Sequence, residues 1–254
     1  FPEFAIPDDS FVYFEPGAGL VRPERAIESQ LKLALKFGAE IRTGSRVEKI
    51  SATKEGGVEV VTSSGTLQAS RCLVSAGAWI KNFLPSRQQR LFKITRQVLH
   101  WVPIQSGAYS PATSPVFVWC YGRREEDMLY GFPSLDGKTI KIASECVLDS
   151  VSPERVDRSV SEEEKISFAR DKLGNRLNKI THGPQRSSVC LYTVAPAHQF
   201  MIVPHAEIPA ALIASCCSGH GFKHSSALGE ALAATLRGDC DTAVLSAFHN
   251  VAGD

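Results

Sequence analysis

The chain has 254 residues, 43% of them hydrophobic and 22% charged, with a formal net charge of +1 at neutral pH. That length can bury a substantial core as one large domain or two interleaved ones, and the charge balance gives no reason to expect nucleic acid or an anionic membrane as partner. No apolar run reaches spanning length, no secretory signal opens the chain, and Val251–Asp254 is not a peroxisomal address. The cysteines, Cys72, Cys120, Cys146, Cys190, Cys216, Cys217 and Cys240, are odd in number and form no C-x-x-C pair. A disulfide framework or a metal site is therefore not expected, and a reducing, cytoplasmic compartment fits.

Phe1–Tyr13 has extended character and turns through Glu15-Pro16-Gly17-Ala18-Gly19. Pro23 at a first-turn position starts a helix that runs to about Phe37 and stops at Gly38. Its apolar residues Ile27, Leu31, Ala34 and Leu35 have the spacing of a single buried stripe. Short β-patterned pieces follow at Ala39–Thr43, Val47–Ala52, Val58–Thr62 and Thr66–Ala69, with glycine and serine turns between the later ones. Cys72–Trp79 reads as an apolar strand running into a small-residue turn.

From Arg90 the pattern changes. Phe92–Ile104, Val116–Tyr121, Met128–Phe132 and Thr139–Ser144 read as strands with few helices between them, which suits an antiparallel sheet carrying a substrate cavity. Ser161-Glu162-Glu163-Glu164 is a capping box ahead of a helix that Gly174 should stop, with no chemical role expected of it.

The most informative blocks are S-V-C-L-Y-T-V-A-P at Ser188–Pro196 and S-G-H-G-F-K-H-S-S at Ser218–Ser226. The second is a glycine turn feeding a helix N-terminus, where unpaired N–H groups and the helix dipole favour anionic groups. At this spacing the two blocks closely resemble the C-terminal half of the sarcosine oxidase family, flavin-dependent amine oxidases that include N-methyltryptophan oxidase and pipecolate oxidase. The resemblance extends over essentially the whole chain. It is joined by F-E-P-G-A-G-L-V at Phe14–Val21, by R-V-E and A-G-A-W at Arg46 and Ala76, and by Arg96-Gln97-Val98, Tyr130–Ser134 and Lys141. The chain opens Phe1-Pro2 and holds no G-x-G-x-x-G between a strand and a helix, so it reads as a fragment whose dinucleotide fingerprint lies upstream.

The resemblance implies a mixed α/β (α+β) fold. A partial FAD-binding Rossmann-like domain without its N-terminal βαβ (residues 17–86 and 198–254) would interleave with an antiparallel-sheet substrate domain (residues 1–16 and 87–197). It implies FAD bound covalently by a thioether to Cys190, with Val47 at the adenine edge, Gly77 approached closely by the cofactor, and Gly219, Gly221 and Phe222 in the cofactor turn. Lys223 would grip a substrate carboxylate. Lys141 would place a fixed positive charge beside the flavin for the reaction with O2, with Tyr130 as a nearby wall. His220 reads as a structural hydrogen bonder and Cys216-Cys217 as packing.

Two departures from the family stand out. Glu145 occupies the place of a family histidine, where it could bond an amine or pair with Lys141 and blunt its charge. Ala197-His198 replaces a common Asp-Glu pair. The implied reaction is oxidation of a secondary amine or N-methyl amino acid to an imine, with O2 reduced to H2O2. A flavin dehydrogenase of the same fold and a non-catalytic truncated fragment are the alternatives.

Overall fold

A computed structural model describes residues 1–146, 151–239 and 248. Cys240 and the rest of the expected flavin-binding segment beyond residue 239, apart from Phe248, lie outside the described residues. The chain divides into two compact units, Phe1–Leu20 with Thr95–Leu191, and Val21–Ile94 with Tyr192–Asp254.

The second unit begins with α1 (Pro23–Lys36), which has Pro23 in its first turn and Glu24 and Lys36 complementing the helix dipole. Its apolar stripe is not buried: no residue of α1 is, and Ile27, Leu31 and Leu35 are each about half exposed. Periodicity reports which face of a helix could be buried, whereas burial needs a partner surface. The expected strand at Ala39–Thr43 does not form. Gly38 and Gly44, at φ +90° and +69°, turn the chain at both ends of it and leave a loop. Next, β1 (Val47–Ala52), β2 (Val58–Thr62) and β3 (Gly65–Ala69) make an antiparallel meander, with a register shift between Val47 and Lys49. A short β4 (Cys72–Val74) leads to a 3-10 turn at Gly77–Phe83 and the single-turn α2 (Ser86–Gln89).

The first unit is built on a five-stranded sheet of β5 (Lys93–Pro103), β6 (Phe117–Cys120), β7 (Met128–Phe132), β8 (Thr139–Ser144) and β9 (Arg186–Val194), in the order β6-β7-β8-β5-β9. One face packs a core of Val102, Leu129, Ile140 and Ile142 with Phe168 and Leu173 from beyond the sheet. Phe168 ends α3 (Glu162–Phe168), whose capping box forms as the sequence predicts, with Ser161 and Glu164 exchanging bonds with each other's backbone N–H. Buried His100 on β5 stacks on Phe168 at 4.0 Å and shares a 2.8 Å hydrogen bond with Ser187 of β9. Burial pushes its pKa down to about 4, so the imidazole is neutral at physiological pH.

The chain returns to the second unit in β10 (Met201–Pro204), β11 (Ala211–Ser215) and α4 (Ser225–Arg237). β10 pairs antiparallel with β11, and β11 pairs parallel with β4, in the order β10-β11-β4. Both faces are apolar, one packing Val74, Ile80, Phe92, Met201 and Ile213, the other Ile202, Leu212, Ala214 and Leu232. Two-sided burial explains why β11 reads as a continuous apolar run rather than an alternating one.

The β7–β8 turn is fastened by Asp136. Its carboxylate accepts bonds from the backbone N–H groups of Lys138 and Thr139 and from the hydroxyls of Ser134 and Thr139, at 2.7 to 3.1 Å. Burial pushes its pKa up, but these four bonds outweigh that and hold the carboxyl far below its usual range. A depressed folded-state pKa stabilises the fold above pH about 4, and that contribution is lost as pH falls through the folded value. Asp136 is solvent-exposed, so Asp136→Ala is expected to cost a discounted ~1–2 kcal/mol at pH 7. Urea unfolding at pH 7 and at pH 3 checks this, with the gap between parent and variant narrowing in acid.

Candidate functional site

Two places gather the chemistry-bearing residues, one in each unit. The first is the sheet face opposite the Val102–Ile142 core. Ile140 and Ile142 are fully buried in that core, so alternation turns Lys141 to the other side. Register places Lys141 opposite Trp101 of β5 and Phe132 of β7, and its Nζ lies 5.5 Å and 5.6 Å from those two ring centroids. Each ring attracts the ammonium through its quadrupole, by about 0.5–1 kcal/mol where the site is open to solvent.

Tyr130, two residues from Phe132 on β7 and paired with Ala143, sits on this face diagonally from Lys141. The rings that meet the ammonium are those of Trp101 and Phe132. Cys190 reaches the same face through β9, because Arg186 stands 3.8 Å over the Trp101 ring and residues 186, 188 and 190 share a side. The half-buried Cys190 lies about 13 Å along the strand from Arg186.

Glu145 follows the last residue of β8. The fully buried side chain of Gln97 pins its neighbour Cys146, donating to the Cys146 carbonyl at 2.6 Å and accepting from its N–H at 3.0 Å. Gln97 also donates to Thr95 at 3.0 Å. The Arg96-Gln97 pair is therefore structural on both sides, since Arg96 holds Glu164, Asp157 and Ser159 at 2.6 to 2.8 Å.

The second place is the carboxyl edge of the parallel pair β4 and β11. Gly77, at φ +52°, follows β4, and the turn Ser218–Gly221 follows β11. The two motif blocks meet here. Ser218 N–H donates to the Thr193 carbonyl at 2.9 Å, Thr193 N–H donates to Cys217 Sγ at 3.5 Å, and Ser218 Oγ bridges Ala195 N–H and the Gln199 carbonyl. The Tyr192 ring packs so closely on Gly219, itself at φ +80°, that a Cβ there would come within 2.8 Å of the ring. A Cβ on Gly221 would fall 1.6 Å from the Cys216 carbonyl oxygen.

His220 donates from Nε2 to the His198 carbonyl, 2.9 Å away, and stacks on Phe200 at 4.8 Å, a structural role as its motif position suggests. Lys223 is exposed and bonds the His220 carbonyl at 2.8 Å, which leaves two of its three ammonium donors for a ligand. Phe222 is partly exposed on the same short turn. Val47 belongs to another sheet, at the start of the β1-β2-β3 meander.

Carboxyl edges of parallel strands followed by glycine turns are where α/β folds bind nucleotides. Two further features fit FAD here. The space around Gly77 is open on the side a Cβ would take, and buried Ser215 Oγ, at the end of β11, has no hydrogen-bond partner among the described residues. The Cys216 thiol is pushed up to about 11 by burial and by Cys217 beside it, so Cys216 stays protonated and inert.

Sequence reasoning missed Trp101, Arg186 and Ser215. No local motif marks them, and each becomes visible only through strand register. The turn yields a contrast of sign. Gly221→Ala is expected to destabilise the protein by about 2–3 kcal/mol through the backbone collision. Gly229→Ala, on α4 with open space around it, should stabilise it by about 0.5–1 kcal/mol. Urea unfolding midpoints of the two variants give the comparison.

Residues 2–235 match the family described as DAO, FAD dependent oxidoreductase. Among curated proteins, the chain is 30% identical over 238 residues to monomeric sarcosine oxidase of Streptomyces avermitilis, covering 92% of this chain and 61% of that protein. It is 30% identical over 254 residues to N-methyl-L-tryptophan oxidase of Yersinia pestis (strain Pestoides F), covering 97% and 65%. The chain thus spans less than two thirds of the length of these relatives.

Among solved structures, it is similar to NikD, an unusual amino acid oxidase essential for nikkomycin biosynthesis, with a TM-score of 0.67 at 17% identity over 86% of this chain and 57% of that one. Amadoriase I from Aspergillus fumigatus gives a TM-score of 0.65 at 20% identity over 85% and 52%. These likenesses show a common mixed α/β fold with antiparallel sheets. Among the described residues no helix is long and apolar enough to cross a membrane. With the family match extending over nearly all of its length, the chain belongs to the FAD dependent oxidoreductase (DAO) family.

Proposed function

We propose that this chain is part of an FAD-dependent oxidase that converts the CH–NH bond of a secondary amine or N-methyl amino acid to an imine, with O2 reduced to H2O2. The observation that carries the reading is that Cys190, Lys141 and Tyr130 share one face of one sheet. The named activities of the sarcosine and N-methyl-L-tryptophan oxidases support it. Bound FAD would supply the two-electron chemistry, taking a hydride equivalent from the amine and passing the electrons to oxygen.

The unit containing β4, β11 and α4 is assigned to the cofactor as a partial Rossmann-like domain. Gly77, Gly219, Gly221 and Phe222 would form its close-approach surface, Val47 the adenine edge, and Cys190 the covalent thioether. The chain's own residues act on charge. Lys223 offers its two remaining N–H donors to a substrate carboxylate. Lys141, walled by Trp101 and Phe132, holds a fixed positive charge where oxygen gains electrons. Tyr130 closes that face, and Glu145, anchored through the Gln97–Cys146 bonds, accepts a hydrogen bond from the substrate amine.

Two measurements test the assignments separately. Acid-precipitated flavin-loaded protein should stay yellow, and Cys190→Ser should release flavin into the supernatant. Flavin that washes out of the parent removes the thioether. Lys223→Met should weaken acidic substrates by about ten- to a hundred-fold, as expected for loss of a charged hydrogen bond of about 1.5–3 kcal/mol. Equal affinity in the variant removes Lys223 from carboxylate binding.

A further inference from the structure

The sheet face carries a second cation that the proposed reaction does not use. The Arg186 guanidinium lies over Trp101, with its central carbon 3.8 Å from the ring centroid. The Lys141 ammonium lies 5.5 Å from the same centroid. Strand order sets β5, with Trp101, between β8 and β9, so Lys141 and Arg186 come to one indole from the two flanking strands. Adjacent strands are about 4.8 Å apart, which separates the two strand backbones by roughly 10 Å.

Like charges gathered on one half-buried ring repel unless anions sit nearby. Among the described residues no carboxylate pairs with Arg186. Stacking fixes the plane of a guanidinium and leaves its edge N–H groups pointing outward, the geometry that takes a carboxylate through two parallel bonds. A guanidinium held on a ring at an exposed strand end, with no carboxylate partner among the described residues, is thus a formed half of an ion pair. Its flat support also reduces the rotamer freedom that a ligand would otherwise have to freeze.

We infer that Arg186, held by Trp101, binds a carboxylate on the far end of the ligand, away from its amine. The site therefore selects substrates with an anionic side chain over neutral ones of the same length. This rests on the amine oxidase reading for the word substrate, but the anion site itself does not depend on catalysis.

Binding can be read without turnover, through the fluorescence of Trp101, with Trp101→Phe identifying the signal against the other two tryptophans, Trp79 and Trp119. Glutarate and pentanoate are the probes, equal in chain length and differing by one carboxylate, titrated at constant ionic strength into the flavin-loaded protein. Glutarate is expected to bind about ten- to a hundred-fold more tightly. Arg186→Gln should erase most of that preference, and Arg186→Lys should restore part of it while losing the two-bond geometry. Arg186 is exposed on its strand, so these variants keep the fold, which an unchanged urea unfolding midpoint verifies. An equal affinity of the parent for the two probes, or a preference that survives in Arg186→Gln, overturns the inference. A preference for glutarate in a protein that oxidises no amine leaves the inference standing and removes the oxidase reading instead.

Discussion

The antiparallel register of β8 between β5 and β7 fixes Lys141 opposite Trp101 on one side and Phe132 on the other. The ammonium cannot change faces without a one-residue slip, and that slip would bring buried Ile140 and Ile142 out of the core. The same register decides what else shares the face, because Tyr130, Trp101, Arg186 and Cys190 follow from it by alternation. Strand pairing, rather than a loop, positions this chemistry. Asp136 at the β7–β8 turn and Gln97 at the far end of β8 secure the two ends of the strand that carries the lysine.

The other unit solves a different problem, bringing backbone close to a ligand without side chains intervening. At the carboxyl edge of β4 and β11 the chain turns through Gly77 on one strand and Ser218–Gly221 on the other. Gly221 is held against the Cys216 carbonyl and Gly219 against the Tyr192 ring, so no other residue fits either place. The C-L-Y-T and S-G-H-G-F-K blocks belong together for a physical reason. Thr193 bonds the turn on both sides of the Cys217–Ser218 peptide, while Tyr192 covers the glycine.

Much of this was legible in the sequence because local signals coincided with tertiary demands. The capping box at Ser161, the proline start of α1 and the strands Met128–Phe132 and Thr139–Ser144 need no distant partner to be read. The glycine turn carries its own signature. What escaped depends on pairing. Trp101 sits in a mixed strand with nothing to mark it until β8 is laid beside it, and Arg186 looks like any charged strand end. The α1 stripe failed in the opposite direction, since Ile27, Leu31 and Leu35 have the spacing of a buried face and remain about half exposed. Ala39–Thr43 likewise has strand composition but lies between two left-handed glycines.

The central claim is that the fixed charge of Lys141, on its aromatic platform, serves the reaction with oxygen and not the oxidation of the amine. Stopped-flow absorbance on the flavin-loaded protein separates the two. The account predicts that Lys141→Met slows oxygen uptake by the pre-reduced protein about a hundred-fold or more, as loss of a preorganised charge does, while reduction by amine changes little. A variant that consumes oxygen at the parental rate would contradict it.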